Sequence, residues 1–142
     1  MHAPDQDKPR VLVADDECII ADTLKTILDR NGFEVKAVYS GEESVAVAEV
    51  WPPDIFLTDV VMPGLNGIDA AIRISGMLPA CQVLLFSGQA ATNDLLIDAR
   101  LRGYSFEILL KPVPPAELLA RLRAVLPVRV FDEVRPARKY AT

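Results

Sequence analysis

Cysteine is nearly missing from this 142-residue chain, with only Cys18 and Cys81 present. That excludes the paired short spacings of a zinc site and the density of a disulfide-stapled scaffold. Both lie among apolar neighbours and are expected to be small buried hydrophobes. Long hydrophobic runs are missing too, and no stretch approaches the roughly 18 residues that read as a membrane-spanning helix. Met1–Pro9 is polar and acidic, unlike a secretory signal, and is expected to be a disordered leader on a cytoplasmic protein. There is no internal repeat and no low-complexity tract. Clustered cations are also lacking. Residues 1–127 carry 11 basic and 18 acidic side chains, a charge of −7, whereas residues 128–142 carry 4 and 2, a charge of +2. So acidic a body argues against direct nucleic-acid binding, which needs clustered Lys and Arg. The short basic tail (Arg129, Arg135, Arg138, Lys139) is expected to be solvated.

What is present is a core and a rhythm. Hydrophobic residues make up 51% of the chain, enough for one globular domain over residues 10–127. Short apolar runs, of the kind buried in parallel sheets, alternate with helix-length segments. Val11–Ala14 reads as the first strand, and Ile20, Leu24 and Ile27 recur at helical spacing until Asn31-Gly32. Phe33–Tyr39 reads as a second strand, and Ser40-Gly41-Glu42-Glu43 as a capping box opening a helix over 41–50. Strands are predicted at 54–59, 81–87 and up to Lys111, with helices near 67–77 and 93–102 and a last one opened by Pro114-Pro115. Five alternations predict an α/β fold, a parallel sheet with helices on both faces.

Four of the strands end on residues suited to phosphate chemistry. The first runs into Asp15-Asp16, the third into Asp59, the fourth into Ser87-Gly88 and the fifth into Lys111-Pro112. Open α/β sheets bind ligands beyond the carboxyl ends of their strands, so one rim gathers three carboxylates, a hydroxyl and an ammonium. Two carboxylates about 4 Å apart repel by about 4 kcal/mol at an effective dielectric near 20. Such a cluster must either hold a proton or bind a cation, and hard oxygens with an open face suit Mg²⁺. Asp59 is then a candidate nucleophile toward a phosphoryl group, with Lys111 and Ser87 as partners for its oxygens. Each piece alone has a plainer reading: helix N-cap for the Asp pair, turn for Ser87-Gly88, solvated strand end for Lys111. Their order, one at the end of each strand, is what singles them out.

Over residues 10–126 the chain resembles the receiver domain of bacterial two-component response regulators. The resemblance rests on Asp15-Asp16, Asp59 followed by Met62-Pro63-Gly64 and Asn66-Gly67, Ser87-Gly88 and Lys111-Pro112. It implies a doubly wound, five-stranded parallel sheet in the order 2-1-3-4-5, and a cis Lys111–Pro112 bond. It implies Mg²⁺ held by Asp16, Asp59 and the backbone carbonyl of Val61, with Asp15 reaching it through water. It further implies a phosphoryl donor, a sensor histidine kinase or a histidine phosphotransfer protein, and an unnamed downstream protein target. The contact or dimer surface would be the fourth helix, fifth strand and fifth helix, where Leu95, Leu96, Arg100 and Leu101 are available.

Two positions depart from the family pattern. Three residues before Lys111, where an aromatic switch is usual, stands Ile108, whose branched side chain is stiff. Phe106 shares its face, and the Gly103–Lys111 segment is one residue longer than the common spacing. The phosphoryl signal is therefore expected to pass through the loop after Ser87 and the fourth helix. Val61 cannot hold a hydrolytic water, so slow dephosphorylation is expected unless Gln89 compensates. The same position counts against a turnover phosphatase of the haloacid-dehalogenase type, which places a second Asp there. An interaction module with a vestigial site is the other rival. With fifteen residues left after 127, a stand-alone receiver is expected, the alternative being a receiver from a longer regulator.

Overall fold

The computed structural model describes residues 8–88 and 92–126, so the expected leader, the tail and Gln89 lie wholly or largely outside the described residues. Ten elements alternate along it: β1 (Arg10–Ala14), α1 (Cys18–Asp29), β2 (Glu34–Val38), α2 (Gly41–Val50), β3 (Ile55–Asp59), α3 (Gly67–Met77), β4 (Gln82–Ser87), α4 (Thr92–Leu101), β5 (Glu107–Leu110) and α5 (Pro115–Val125). All strand pairings are parallel, and the order is β2-β1-β3-β4-β5. The order reverses between β1 and β3, which opens a crevice at their carboxyl ends.

The period-two alternation of the strands builds a core on each face. Val11, Val13, Ile55, Leu57, Leu84 and Phe86 join Leu28, Leu118 and Leu122 on the α1/α5 side. Leu12, Ala14, Phe56 and Leu85 join Ile68, Ala71 and Ile74 on the other. Every residue of β3 is buried, as a central strand covered on both faces requires.

Helix ends follow local chemistry. Gly32, at φ +94°, takes the left-handed turn after α1. Asn66 caps α3 by accepting the Asp69 N–H at 2.9 Å. The capping box of α2 forms by halves: Ser40 Oγ accepts the Glu43 N–H at 3.0 Å, but Glu43 Oε1 takes the Tyr39 N–H at 2.9 Å instead of that of Ser40. Tyr39 in turn donates its hydroxyl to Asp22 Oδ1 at 2.6 Å, tying β2 to α1. One expectation fails. Cys18 opens α1 on its solvent side and is exposed, while Cys81 is buried as expected, its thiol pushed up to about 12 by desolvation. Apolar neighbours in sequence do not bury a residue in a helix's first turn when the helical face turns it outward.

Candidate functional site

The strand ends deliver their side chains to one crevice. Asp15 and Asp16 follow β1, Asp59 ends β3, Ser87 ends β4, and Lys111 follows β5, its N–H bonded to the Ser87 carbonyl at 3.1 Å. Asp15 is 0% exposed, Asp59 7% and Ser87 1%, while Asp16 stands in solvent. One carboxylate oxygen from each of Asp15, Asp16 and Asp59 lies within 4.8 Å of the others. Neither aspartate of the pair caps α1. The N-cap is Glu17, and Asp15 Oδ1 accepts the Glu17 N–H at 2.9 Å. This bond fixes the Asp15 carboxylate so that Oδ2 stays buried without a hydrogen-bond partner.

Lys111 answers the negative charge in part. Its ammonium lies 3.5 Å from Asp59 Oδ1 and 3.7 Å from Asp15 Oδ2, with its charge 4.8 Å from the centre of the Phe86 ring. Burial raises the carboxyl pKa of both Asp15 and Asp59 above the ordinary value. Lys111 opposes the shift at both, and the Asp15 charge adds to it at Asp59. One ammonium cannot balance three carboxylates. The Asp15 oxygen that accepts no hydrogen bond, the hard donor set and the open side of the crevice fit a small divalent cation that retains waters, as Mg²⁺ does.

The crevice encloses about 570 Å³ among Asp16, Glu17, Asp59, Val61, Met62, Pro63, Gly88 and Lys111. Val61 lies on the loop that follows β3 and is 43% exposed at its mouth. Backbone contacts hold that loop close. The Gly67 N–H meets the Val60 carbonyl at 2.8 Å, and a Cβ on Gly67 would fall 1.9 Å from the Asp59 carbonyl oxygen. The Thr58 hydroxyl donates to the same carbonyl at 2.9 Å. Sequence patterns pick out Asn66-Gly67 as a turn but give no sign of Thr58 or of Glu42, whose Oε2 accepts the Leu65 N–H at 3.0 Å. The Lys111–Pro112 peptide is cis, as the resemblance implied.

These features agree with the comparison to known proteins. The response regulator receiver domain family matches residues 11–123. The chain belongs to this family. The receiver is 33% identical over 118 residues to the transcriptional regulatory protein PrrA of Mycobacterium leprae, covering 83% of this chain and 50% of that protein. It is 30% identical over 121 residues to the DNA-binding response regulator MtrA of the same organism, covering 84% of this chain and 52% of the relative. The receiver therefore spans about half the length of the curated relatives it matches. Among solved structures, a receiver domain protein from Clostridium thermocellum superposes with TM-score 0.73 at 30% identity, covering 82% of this chain and 93% of that one. A CheY-like receiver from Methanospirillum hungatei gives TM-score 0.75 at 25% identity, covering 82% and 92%.

Against the pattern of the family, the receiver has no aromatic side chain beside Ser87 on β5. Ile108 pairs with Leu85 in the ladder and packs, partly buried, into the α3/α4-side core. Phe106 lies before the first residue of β5, stacked on Tyr104 with ring centres 5.8 Å apart, at the end of the strand remote from the crevice. Of the residues expected on the contact surface, Leu95 and Leu96 are partly buried in the core, while Arg100 and Leu101 face solvent. No helix among the described residues is long and apolar enough to cross a membrane.

Proposed function

We propose that the receiver accepts a phosphoryl group on Asp59 from a phosphohistidine of a sensor kinase or phosphotransfer protein. The observation that carries this reading is the placement of Asp59 beside Lys111 and the buried Asp15 oxygen that accepts no hydrogen bond. An Asp59 carboxylate oxygen forms the new P–O bond as the P–N bond to the donor imidazole breaks, and the imidazole leaves with its electron pair and takes up a proton from solvent. Asp16, Asp59 and the Val61 carbonyl would hold Mg²⁺, with Asp15 behind it. The ion would neutralise charge on the transferring group and draw two anionic partners together. Lys111 supplies a point charge to a phosphoryl oxygen, and the Ser87 hydroxyl donates to another. Beside the crevice, Ile19 stands exposed on the first turn of α1, an apolar contact for the donor protein.

Phosphorylation then biases an existing equilibrium at the far side of the sheet. The phosphoryl dianion draws on Ser87 and Lys111, and the signal leaves through the segment after Gly88 and the face of α4. Exposed apolar side chains on α4 and β5 support this assignment: Ile97, Leu101 and Leu110 are 55%, 83% and 74% exposed and available to a partner protein or a second copy. The acidic charge of the domain favours protein over nucleic acid as its direct contact, in a cytoplasmic setting.

The test is intact mass after incubation with acetyl phosphate, with and without Mg²⁺, for the parent and Asp59→Ala. One added phosphoryl group that needs Mg²⁺ and vanishes in the variant supports the reading. No uptake, under conditions that label a control receiver, would make the domain a phosphorylation-independent interaction module.

A further inference from the structure

We propose that Glu42 is a positioning residue for the cation site, acting on the loop that presents the Val61 carbonyl. The inference rests on the reading of the crevice given above. The loop between β3 and α3 is closed at its base, where the Gly67 N–H meets the Val60 carbonyl. Its crest, Gly64-Leu65, is met by the first turn of α2. Glu42 Oε2 accepts the Leu65 N–H at 3.0 Å. The two segments interlock through glycines. A Cβ on Gly64 would lie 2.5 Å from Glu42 Oε2, and a Cβ on Gly41 would lie 2.2 Å from the Leu65 carbonyl oxygen. Gly64 also sits at φ +74°, where an L side chain is strained, so the crest is shaped around that carboxylate.

The first turn of α2 is itself anchored. Ser40 caps it, Glu43 holds the Tyr39 N–H, and the Tyr39 hydroxyl reaches Asp22 of α1. Glu42 thus joins the crest of the loop to an anchored helix turn. The base is closed by its own bond, so the contact with Glu42 acts on the stretch between Val60 and Gly67, which includes Val61. The ligand oxygen from this loop belongs to the backbone of Val61, which no side-chain rotamer can adjust. Its position is that of the loop.

The test compares Glu42→Ala and Glu42→Gln with the parent and with Glu43→Ala, which removes a neighbouring carboxylate that serves Tyr39. Two quantities are read: the exchange rate of the Leu65 amide by NMR without metal, and the Mg²⁺ dissociation constant by calorimetry. Glu42→Ala is expected to free the Leu65 amide and to weaken Mg²⁺ by about threefold to tenfold, less than the roughly tenfold to hundredfold of a partner bonded to a ligand side chain. Glu42→Gln keeps an acceptor oxygen and is expected to restore both quantities, which separates positioning from simple attraction between Glu42 and the ion. Glu43→Ala keeps both the Ser40 cap, which uses the residue 43 backbone, and the Glu42–Leu65 bond, and should weaken Mg²⁺ clearly less than Glu42→Ala does. Unaltered Mg²⁺ affinity in Glu42→Ala, or a Gln variant as weak as the Ala variant, overturns the assignment. A parent that takes up no phosphoryl group overturns the reading of the crevice instead, so the two failures are distinct.

Discussion

Lys111 Nζ lies 3.5 Å from Asp59 Oδ1, close enough to attract yet beyond good hydrogen-bond length. With Asp15 Oδ2 at 3.7 Å, the ammonium stands between two buried carboxylates and fully satisfies neither. Removing it leaves their repulsion uncompensated. Lys111→Met is expected to lower stability at pH 7 by about 1–3 kcal/mol, the cost of leaving a buried polar group without its partner. Added Mg²⁺ should recover most of the loss. Urea unfolding with and without the ion checks both statements, and an equal loss under the two conditions would refute them.

The pH dependence follows from the raised carboxyl pKa values of Asp15 and Asp59, caused first by burial. A group whose folded pKa is raised binds its proton more tightly in the fold, so its stabilising contribution is present at low pH and is lost as pH rises through the folded value. Metal-free receiver should therefore gain from these two groups as pH falls from 7 toward the ordinary carboxylate range, against the trend of its exposed acids. Asp59→Asn removes one of them. It is expected to raise the metal-free melting temperature at pH 7 and to shrink that difference at pH 5. A constant difference between variant and parent across that range would count against the argument.

Two glycines of α3 should respond in opposite directions to the same change. A methyl group on Gly67 meets the Asp59 carbonyl oxygen at 1.9 Å, a backbone atom that cannot yield without moving the acceptor. Gly67→Ala is expected to cost about 1–3 kcal/mol, the usual range for overpacking, and to slow phosphoryl uptake. A methyl group on Gly76 meets nothing within 4 Å. There the substitution is expected to stabilise by about 0.5–1 kcal/mol, because alanine loses less conformational freedom in a helix. Thermal unfolding of the pair decides it.

Val61 lines the crevice mouth without a polar group to hold water. Val61→Asn keeps the backbone carbonyl and adds a side chain that can orient one. The phosphorylated state of this variant is expected to decay about tenfold faster, well below the roughly 10²–10⁴ of a positioned general base. Loss of the phosphoryl mass with time measures it, and an unchanged decay would place control of the lifetime elsewhere in the crevice.

Ile108→Val tests the route of the signal. Losing one methylene from a partly buried side chain is expected to cost at most about 0.5–1.5 kcal/mol and to leave phosphoryl uptake intact. Partner binding or dimerisation that depends on phosphorylation should persist as well. If that response vanished while uptake and folding held, Ile108 itself would be the relay.

Much of this was legible in sequence because the signals were local. Apolar runs mark β1, β3 and β4, Ser40 announces the helix it caps, and parallel topology converts strand ends into one crevice. What escaped was set by packing between distant segments. Nothing near Glu42 in the chain says that it will meet Leu65, twenty-three residues away. The exposure of Cys18 depended on which side of α1 faces the sheet, a matter of helix rotation that neighbouring residues do not fix. The start of β5 was blurred for a related reason, since Tyr104 and Phe106 pair with each other before the ladder begins.

The hydrogen bond from Gly67 to Val60 makes the segment between them a ring, complete before any ligand arrives. An open loop that grips an ion must surrender conformational freedom at that moment; here the surrender is made once, when the chain folds. Ion affinity is then governed by dehydration of the ion and relief of carboxylate repulsion, with little left for the backbone to order. Calorimetry of Mg²⁺ binding should accordingly lack the large negative heat-capacity change that accompanies coupled folding.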